Sequence, residues 1–348
     1  MKILFVVGSA FLPEEFNGQN RTITELCVAL TSMGHVPAVL SQWRSPYKKR
    51  AIYRDQTLGF CVYRTTNLVS ALSGISLTLR PNIVVVIDHA TQAIFQTLLE
   101  LKLPLVNWLF QKDVPDYLKN MASIRTMATT RDIAETARVL LGEKIHVVPP
   151  YIDFDYYRSQ ISGTKVLFVN PIRSKGVEWF IDIARKRPEY RFIVLQSVVL
   201  APDWRRYLFE QFRACGNIEL LSPTQDVRPI LKDVAILLVP RLHVEGFARI
   251  VTEAQSSGIP VMGFDTKGVA NNIGPGGSIF ALSDTVQIWL NELDRYLTDA
   301  SFLNSKSEQA FKHSQREEID PQKVLSQFLK VLTGHIKHQR NNLFYGAR

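Results

Sequence analysis

Two glutamates, Glu245 and Glu253, stand with seven residues between them in the run Val239-Pro-Arg-Leu-His-Val-Glu-Gly-Phe-Ala-Arg-Ile-Val-Thr-Glu-Ala-Gln-Ser-Ser-Gly-Ile-Pro260. Residue types and order here suit a ligand carrying both phosphate and hydroxyl groups. A helix is expected from about Phe247 to Ser257, since Gly258 is a stop signal and Ile259-Pro260 blocks continuation. The first backbone N–H groups of such a helix have no partner within it and attract phosphate. Gly246 has no side chain to obstruct a ligand, and Arg249 adds positive charge in the first turn. Glu253, one turn further on, can accept a pair of hydrogen bonds, such as two neighbouring ribose hydroxyls supply. A glutamate near a helix N-terminus is also stabilising with no ligand at all, so the spacing alone assigns no site.

The elements that position this run are apolar strands, Val234 to Val239 before it and one from Val261 after it. A second strand–loop–helix lies upstream, in Lys165-Val-Leu-Phe-Val-Asn-Pro-Ile-Arg-Ser-Lys-Gly176. Its loop carries two cations, Arg173 and Lys175, and the following helix places Val177, Phe180, Ile181 and Ala184 on one face.

The first half of the chain repeats the alternation. Residues 2–7 read as a buried strand and 9–19 as a long loop with Pro13, Asn17 and Gly18. A helix runs from about Asn20 to Gly34, and Val36 to Leu40 is the next strand. Gly-x-Gly-x-x-Gly is absent, so there is no dinucleotide fingerprint. Strands near Gly59 to Tyr63, Ile83 to Ile87, Leu105 to Leu109 and Lys144 to Val148 alternate with helices near Leu68 to Leu79 and Thr91 to Leu101. Such alternation implies parallel sheets covered on both faces, with ligands outside the carboxyl ends of the strands. Two of those ends carry polar residues, Asp88-His89 and Gln111-Lys112-Asp113. Pro149-Pro150 marks the exit from the first domain.

A chain of 348 residues suits two domains, and 46% apolar content is ordinary for a soluble protein. Cys27, Cys61 and Cys215 are isolated and show no metal-ligand spacing, which fits a reducing cytoplasm. The apolar run at Met1 is too short and too soon interrupted for a leader, and no run reaches the ~18 residues that cross a bilayer. The net charge of +9 points to an anionic partner. Arg44, Lys48, Lys49, Arg50, Arg54 and Arg64 gather with Trp43, Tyr47 and Tyr53 interleaved, a composition suited to an anionic membrane surface or to a merely solvated loop. No nucleic-acid-binding motif is present, so nucleic acid is not an expected partner. At the end of the chain Asp320 caps a helix that has Pro321 at its first position. Its apolar stripe, Val324, Leu325, Phe328, Leu329, Leu332 and Ile336, must be buried, and His335, Lys337, His338 and Arg340 read as a basic tail.

Glu245-Gly-Phe-Ala-Arg249 followed by Glu253-Ala-Gln-Ser-Ser-Gly-Ile-Pro-Val261 resembles the donor-site signature of the retaining glycosyltransferases of family 4. The resemblance implies an α/β fold of the GT-B type, two Rossmann-like doubly wound domains facing a central cleft with the C-terminal helix crossing back to the first. It places an acceptor-side domain at 1–150, a nucleotide-sugar donor domain at 151–315, and the returning helix and basic tail at 316–348. It implies transfer of a sugar from a nucleotide diphosphate sugar to a hydroxyl of a glycan, lipid-linked or small-molecule acceptor, with retained configuration and no metal or other cofactor. Such a protein works in the cytoplasm or peripherally at the cytoplasmic membrane face. Carried onto this chain, the donor contacts are Gly18, Gln19, Asn20, Asn170, Gly246, Phe247, Ala248, Arg249 and Glu253, with Lys175 and Arg173 clamping the diphosphate and Glu245 holding sugar hydroxyls. Asn17-Gly18 replaces the family's adjacent glycines, Asn170-Pro171 replaces its Gly-Arg, and Lys267 and Asn271 depart from its Gly-Gly-x-x-Glu. The family's acceptor-side histidine is missing, since Phe110-Gln111-Lys112-Asp113 stands in its place. Asp113 is the first candidate there and His89 the second. A nucleotide-sugar epimerase of the same fold, or a non-catalytic nucleotide-sugar-binding protein, is compatible with the same residues.

Overall fold

The computed structural model describes residues 1–43, 52–88, 90–121, 124–197, 199–242, 246–266 and 268–345, with side chains to residue 339 in the last of these. The chain divides into two compact units, one of residues 1–14, 19–151 and 321–348 and the other of residues 15–18 and 152–320.

The first unit is built on eight strands: β1 (Lys2–Ala10), β2 (Val36–Gln42), β3 (Ile52–Asp55), β4 (Cys61–Thr65), β5 (Ile83–Ile87), β6 (Leu105–Leu109), β7 (Arg125–Ala128) and β8 (His146–Val147). Their order is β3-β4-β2-β1-β5-β6-β7-β8, parallel throughout except for the antiparallel β3–β4 edge pair. β5 and β6 are buried along their whole length, as a strand covered on both faces must be, which is why β5 is a continuous apolar run and β6 is apolar but for the buried Asn107. Leu4 and Val6 pack with the helices Leu68–Leu79, Gln92–Glu100 and Arg131–Leu141. Phe5, one residue out of phase, stacks instead on Phe328 of the terminal helix Pro321–Tyr345 at 6.1 Å, and Phe328 also meets Trp108 at 5.4 Å. The stripe of that helix is thus buried as its periodicity demands.

Three local readings change. β3 lies in the stretch read as loop. Asp55 accepts the Thr57 N–H and hydroxyl at 2.9 and 2.7 Å in the turn leading out of it, and Gly59 (φ +83°) completes the turn into β4. Trp43 and Arg64 are buried and so leave the cationic surface expected of them. Arg64 pairs with Asp55 at 2.8 Å and also donates to the Leu12 carbonyl. Burial raises the Asp55 carboxyl, but hydrogen bonds from Arg64 and Thr57 outweigh it and the net shift is downward. Arg44, Lys48, Lys49 and Arg50 lie outside the described residues. Finally His335 is not in a solvated tail. It continues the stripe of Val331 and Leu332 and is buried, and burial, with Arg125 and His338 nearby, pushes its imidazole down to about 4.

The second unit carries β9 (Lys165–Val169), β10 (Phe192–Leu195), β11 (Ile218–Leu221), β12 (Val234–Val239), β13 (Val261–Phe264) and β14 (Gly277–Phe280). All are parallel, in the order β11-β10-β9-β12-β13-β14. The chain therefore winds one way from β9 through β10 to β11 and the other way from β12 to β14. The switch falls between β9 and β12, and a crevice opens where the loops leaving adjacent strands turn to opposite faces. No helix among the described residues is long and apolar enough to cross a membrane.

Candidate functional site

The loop after β9 begins with a constrained backbone. Asn170 has φ +67°, a conformation that asparagine tolerates better than other residues bearing a side chain, so it can stand where a related loop uses glycine. Its N–H donates to the Leu195 carbonyl at 2.8 Å and its carbonyl accepts from Ile172, again at 2.8 Å. Its side-chain Oδ1 is buried and has no hydrogen-bond partner among the described residues. An acceptor held dry at the mouth of a crevice is the kind of group a ligand donor satisfies.

One turn of 3-10 helix, Arg173–Lys175, follows and ends at Gly176 with φ +81°. A Cβ at Gly176 would lie 1.8 Å from the Pro240 carbonyl oxygen. Only glycine fits, and that close approach draws the Lys175 turn onto the end of β12. Lys175 is half-buried. Arg173 is 76% exposed, with Nε 3.5 Å from a Glu178 carboxylate oxygen and its guanidinium 5.0 Å over the Trp204 ring.

The loop after β12 runs from Pro240 into the helix Arg249–Gln255, shorter than the expected span because Ser256 to Gly258 form a turn. Glu245 lies outside the described residues. Gly246 and Ala248 are buried and Phe247 half-buried. Asn272 donates to the Ala248 carbonyl at 3.2 Å, and Arg316 in turn bonds Asn272 at 2.5 Å. Burial holds the Arg316 guanidinium down to about 10. These two positioning residues were not singled out in the sequence, because Asn272 sits next to a segment that matches no pattern and Arg316 is remote in the chain.

Arg249 and Glu253 form one unit. Arg249 Nε donates to Glu253 Oε1 at 2.5 Å, both side chains are buried, and Arg249 Nη2 bonds the Tyr157 hydroxyl at 3.1 Å. The arginine is thus neutralised by the glutamate one turn on. Gly18 passes over the same residue, where a Cβ would stand 3.5 Å from Arg249 Cβ, and Phe16 N–H donates to the Ser197 carbonyl at 3.2 Å.

In the first unit, Gln19 is half-buried and Asn20 buried, its amide donating to the Ala10 carbonyl at 2.9 Å. At the carboxyl end of β5, Asp88 is buried and both its oxygens receive the Phe110 N–H at 3.0 and 2.9 Å, with the Gln111 N–H adding to them. Burial dominates these bonds and, with Asp113 close by, pushes the carboxyl up to about 7. Asp113, the preferred sequence candidate, is exposed, and Lys112 pairs with Asp132. His89 lies outside the described residues. Asp88 went unchosen, although one signal was available, a carboxylate ending the strand Ile83–Ile87 whose residues are otherwise wholly apolar.

Residues 163–299 match the family model described as Glycosyl transferases group 1. The matched segment lies inside the second unit and contains both loops just described. A search of curated proteins finds no match. Among solved structures the chain is similar to a glycosyltransferase from Rickettsia africae ESF-5, at 12% identity and TM-score 0.76, over 96% of this chain and 98% of that one. It is similar to the sucrose-phosphate synthase of Thermosynechococcus elongatus, at 11% identity and TM-score 0.78, over 96% and 99%. Anabaena HepE in complex with UDP-glucose matches at 15% identity and TM-score 0.78, over 96% and 100%. At these identities the likeness concerns the fold, two α/β domains with parallel sheets as in GT-B glycosyltransferases.

Proposed function

We propose that this chain is a retaining, metal-independent glycosyltransferase that moves a sugar from a nucleoside diphosphate to a hydroxyl. The observation that carries the reading is the approach of Gly176 to the Pro240 carbonyl at the β9/β12 switch point, inside the segment matching Glycosyl transferases group 1. That approach sets the Lys175 turn beside the loop leading to Glu245.

The difficult event is departure of the nucleoside diphosphate, on which negative charge grows as the bond from the anomeric carbon breaks. Lys175, with Arg173 further out, stabilises that charge at fixed positions. Glu245 holds sugar hydroxyls. Asn170 offers its buried Oδ1 to the donor, and Gly246, Phe247 and Ala248 give backbone contact. Glu253 is held by Arg249, so it presents a fixed rather than a searching carboxylate to the ribose. The acceptor oxygen bonds to the anomeric carbon on the face the diphosphate leaves, and its proton departs with the diphosphate. The acceptor is a glycan, a lipid-linked sugar or a small molecule, met at the cytoplasmic membrane face or in the cytoplasm. HepE is seen with UDP and with UDP-glucose, which makes UDP-glucose the first donor to try.

A panel of nucleoside diphosphate sugars, assayed for diphosphate release and for anomeric configuration by NMR, tests this. Acceptor-dependent release with retention is expected, and Lys175→Ala should lower it about a hundredfold. Release without acceptor, yielding an epimerised free sugar, would replace transfer by epimerisation. Tight donor binding with no turnover on any acceptor would leave a binding protein.

A further inference from the structure

The first unit contains a cleft of about 730 Å³ along the terminal helix, remote in kind from the strand ends just described. Its walls are Arg125 and His146, the first residues of β7 and β8, and the first four turns of the helix, including Lys323 and Lys330. They therefore stand at the amino ends of strands, whereas ligands of doubly wound sheets occupy the carboxyl ends.

The lining has three cationic side chains and no carboxylate. Arg125 Nη1 lies 3.0 Å from His146 Nε2, a contact that requires the imidazole to be neutral and to accept. Burial keeps His146 in that form, aided by Arg125, Lys144 and Lys330. Of the acids at this end of the sheet, Glu143 is turned toward Thr126, its carboxyl raised by burial despite Arg125, and Asp320 directly precedes the helix. The helix begins here with Pro321, so the N–H groups of its first turn add partial positive charge beside Lys323. Gln327 pins the far wall by donating to the Val147 carbonyl. Like charges gathered around a concave surface, with a histidine held neutral among them, suit an anion.

We infer that this cleft binds a phosphate group, through Arg125, Lys323 and Lys330 with His146 protonated on binding. The group is carried either by a soluble phosphate compound or by an anionic lipid head group.

Calorimetric titration of the full chain with inorganic phosphate and pyrophosphate tests the first source. Flotation with phosphatidylglycerol vesicles against phosphatidylcholine vesicles tests the second. The Arg125→Gln, Lys330→Gln double variant is compared with a control of equal charge change, Arg205→Gln, Arg206→Gln, on the exposed face of the helix Pro202–Cys215. The cleft variant should lose at least tenfold in affinity for whichever ligand binds, the control less than twofold. In wild type the His146 ring resonance should titrate at higher pH once the ligand is present. Binding of phosphate alone assigns the soluble source, and binding of anionic vesicles alone assigns the lipid. Equal losses in both variants would reduce the effect to net charge, and absence of binding to either ligand would overturn the inference. Melting curves on both variants separate lost binding from lost folding.

Discussion

The strand ends that carry candidate residues are made in opposite ways in the two units. In the second unit the crevice is specified by backbone: Asn170 and Gly176 both adopt positive φ, and Gly176 admits a carbonyl where any Cβ would collide. In the first unit the end of β5 is specified by burial, with the Asp88 carboxylate sunk beneath the chain and answered by the N–H groups of Phe110 and Gln111. Backbone demands leave a residue signature, since glycine and asparagine are the types that meet them. Burial of one carboxylate leaves almost none, because its environment is assembled from residues more than twenty positions away.

The sharpest break in the comparison comes from glycine replacement. Gly176→Ala must adopt a left-handed backbone and also displace the Pro240 carbonyl, so a loss of about 3 to 5 kcal/mol is expected in urea unfolding. Gly142 (φ +69°) has nothing within 4 Å of the position of its Cβ and should lose only about 1 to 2 kcal/mol on the same change. Equal losses at the two positions would mean that the close approach at Pro240 relaxes without cost.

Asp88 tests the other half. Its folded carboxyl titrates near 7, above the ordinary carboxylate value, so between the two the folded state binds the proton and the unfolded state does not. The contribution to stability is therefore fully present at acid pH and is lost as pH rises through about 7. Against Asp88→Asn, which cannot titrate, wild type should lose about 2 to 3 kcal/mol on going from pH 5 to pH 8. Denaturant titrations of both proteins at the two pH values measure the difference, and parallel curves would place Asp88 in contact with water.

These cases show where sequence reading succeeds. The parallel sheets covered on both faces, the loops around Lys175 and Arg249, and the buried stripe of the terminal helix all rest on periodicity, glycine placement and local spacing, and the structure has them. The edge strand β3 was invisible because its four residues, Ile52–Asp55, carry charge on an exposed edge rather than an apolar run. His335 was misread because composition classes it with a basic tail, whereas its helical phase places it on the buried face. The pairing of Arg249 with Glu253 was available from their i,i+4 spacing, but nothing local reveals that both are buried with Tyr157. The roles proposed for Glu245 and His89 rest on resemblance and chemistry alone.

That buried pair changes what Glu253→Gln should do. Removing the negative charge leaves the Arg249 guanidinium buried with a weaker acceptor, so a loss of about 2 kcal/mol in stability should accompany any loss of nucleotide binding. Calorimetry with UDP and urea unfolding on the same variant give the two numbers. A stable variant that no longer binds would return Glu253 to a ribose contact alone, while a destabilised variant that binds normally would make it purely structural.

The smallest effect on folding belongs to Arg173, and it separates a site made by backbone from one made by its side chains. Arg173 is exposed, its contact with Glu178 is long at 3.5 Å, and its approach to Trp204 is a surface cation–π contact. Exposed pairs of this kind contribute about 0 to 1 kcal/mol, so Arg173→Ala should shift stability by no more than about 0.5 kcal/mol. If the turn exists to present charge to a departing diphosphate, turnover should still fall, by about tenfold, with Lys175→Ala falling further because that residue is the more enclosed of the two. Raising salt should weaken the wild-type contribution of Arg173 before that of Lys175, since only the exposed charge is well screened. Steady-state rates for both variants at low and high salt decide it. Equal sensitivity at the two positions would mean that the difference in enclosure does not carry into the loaded site.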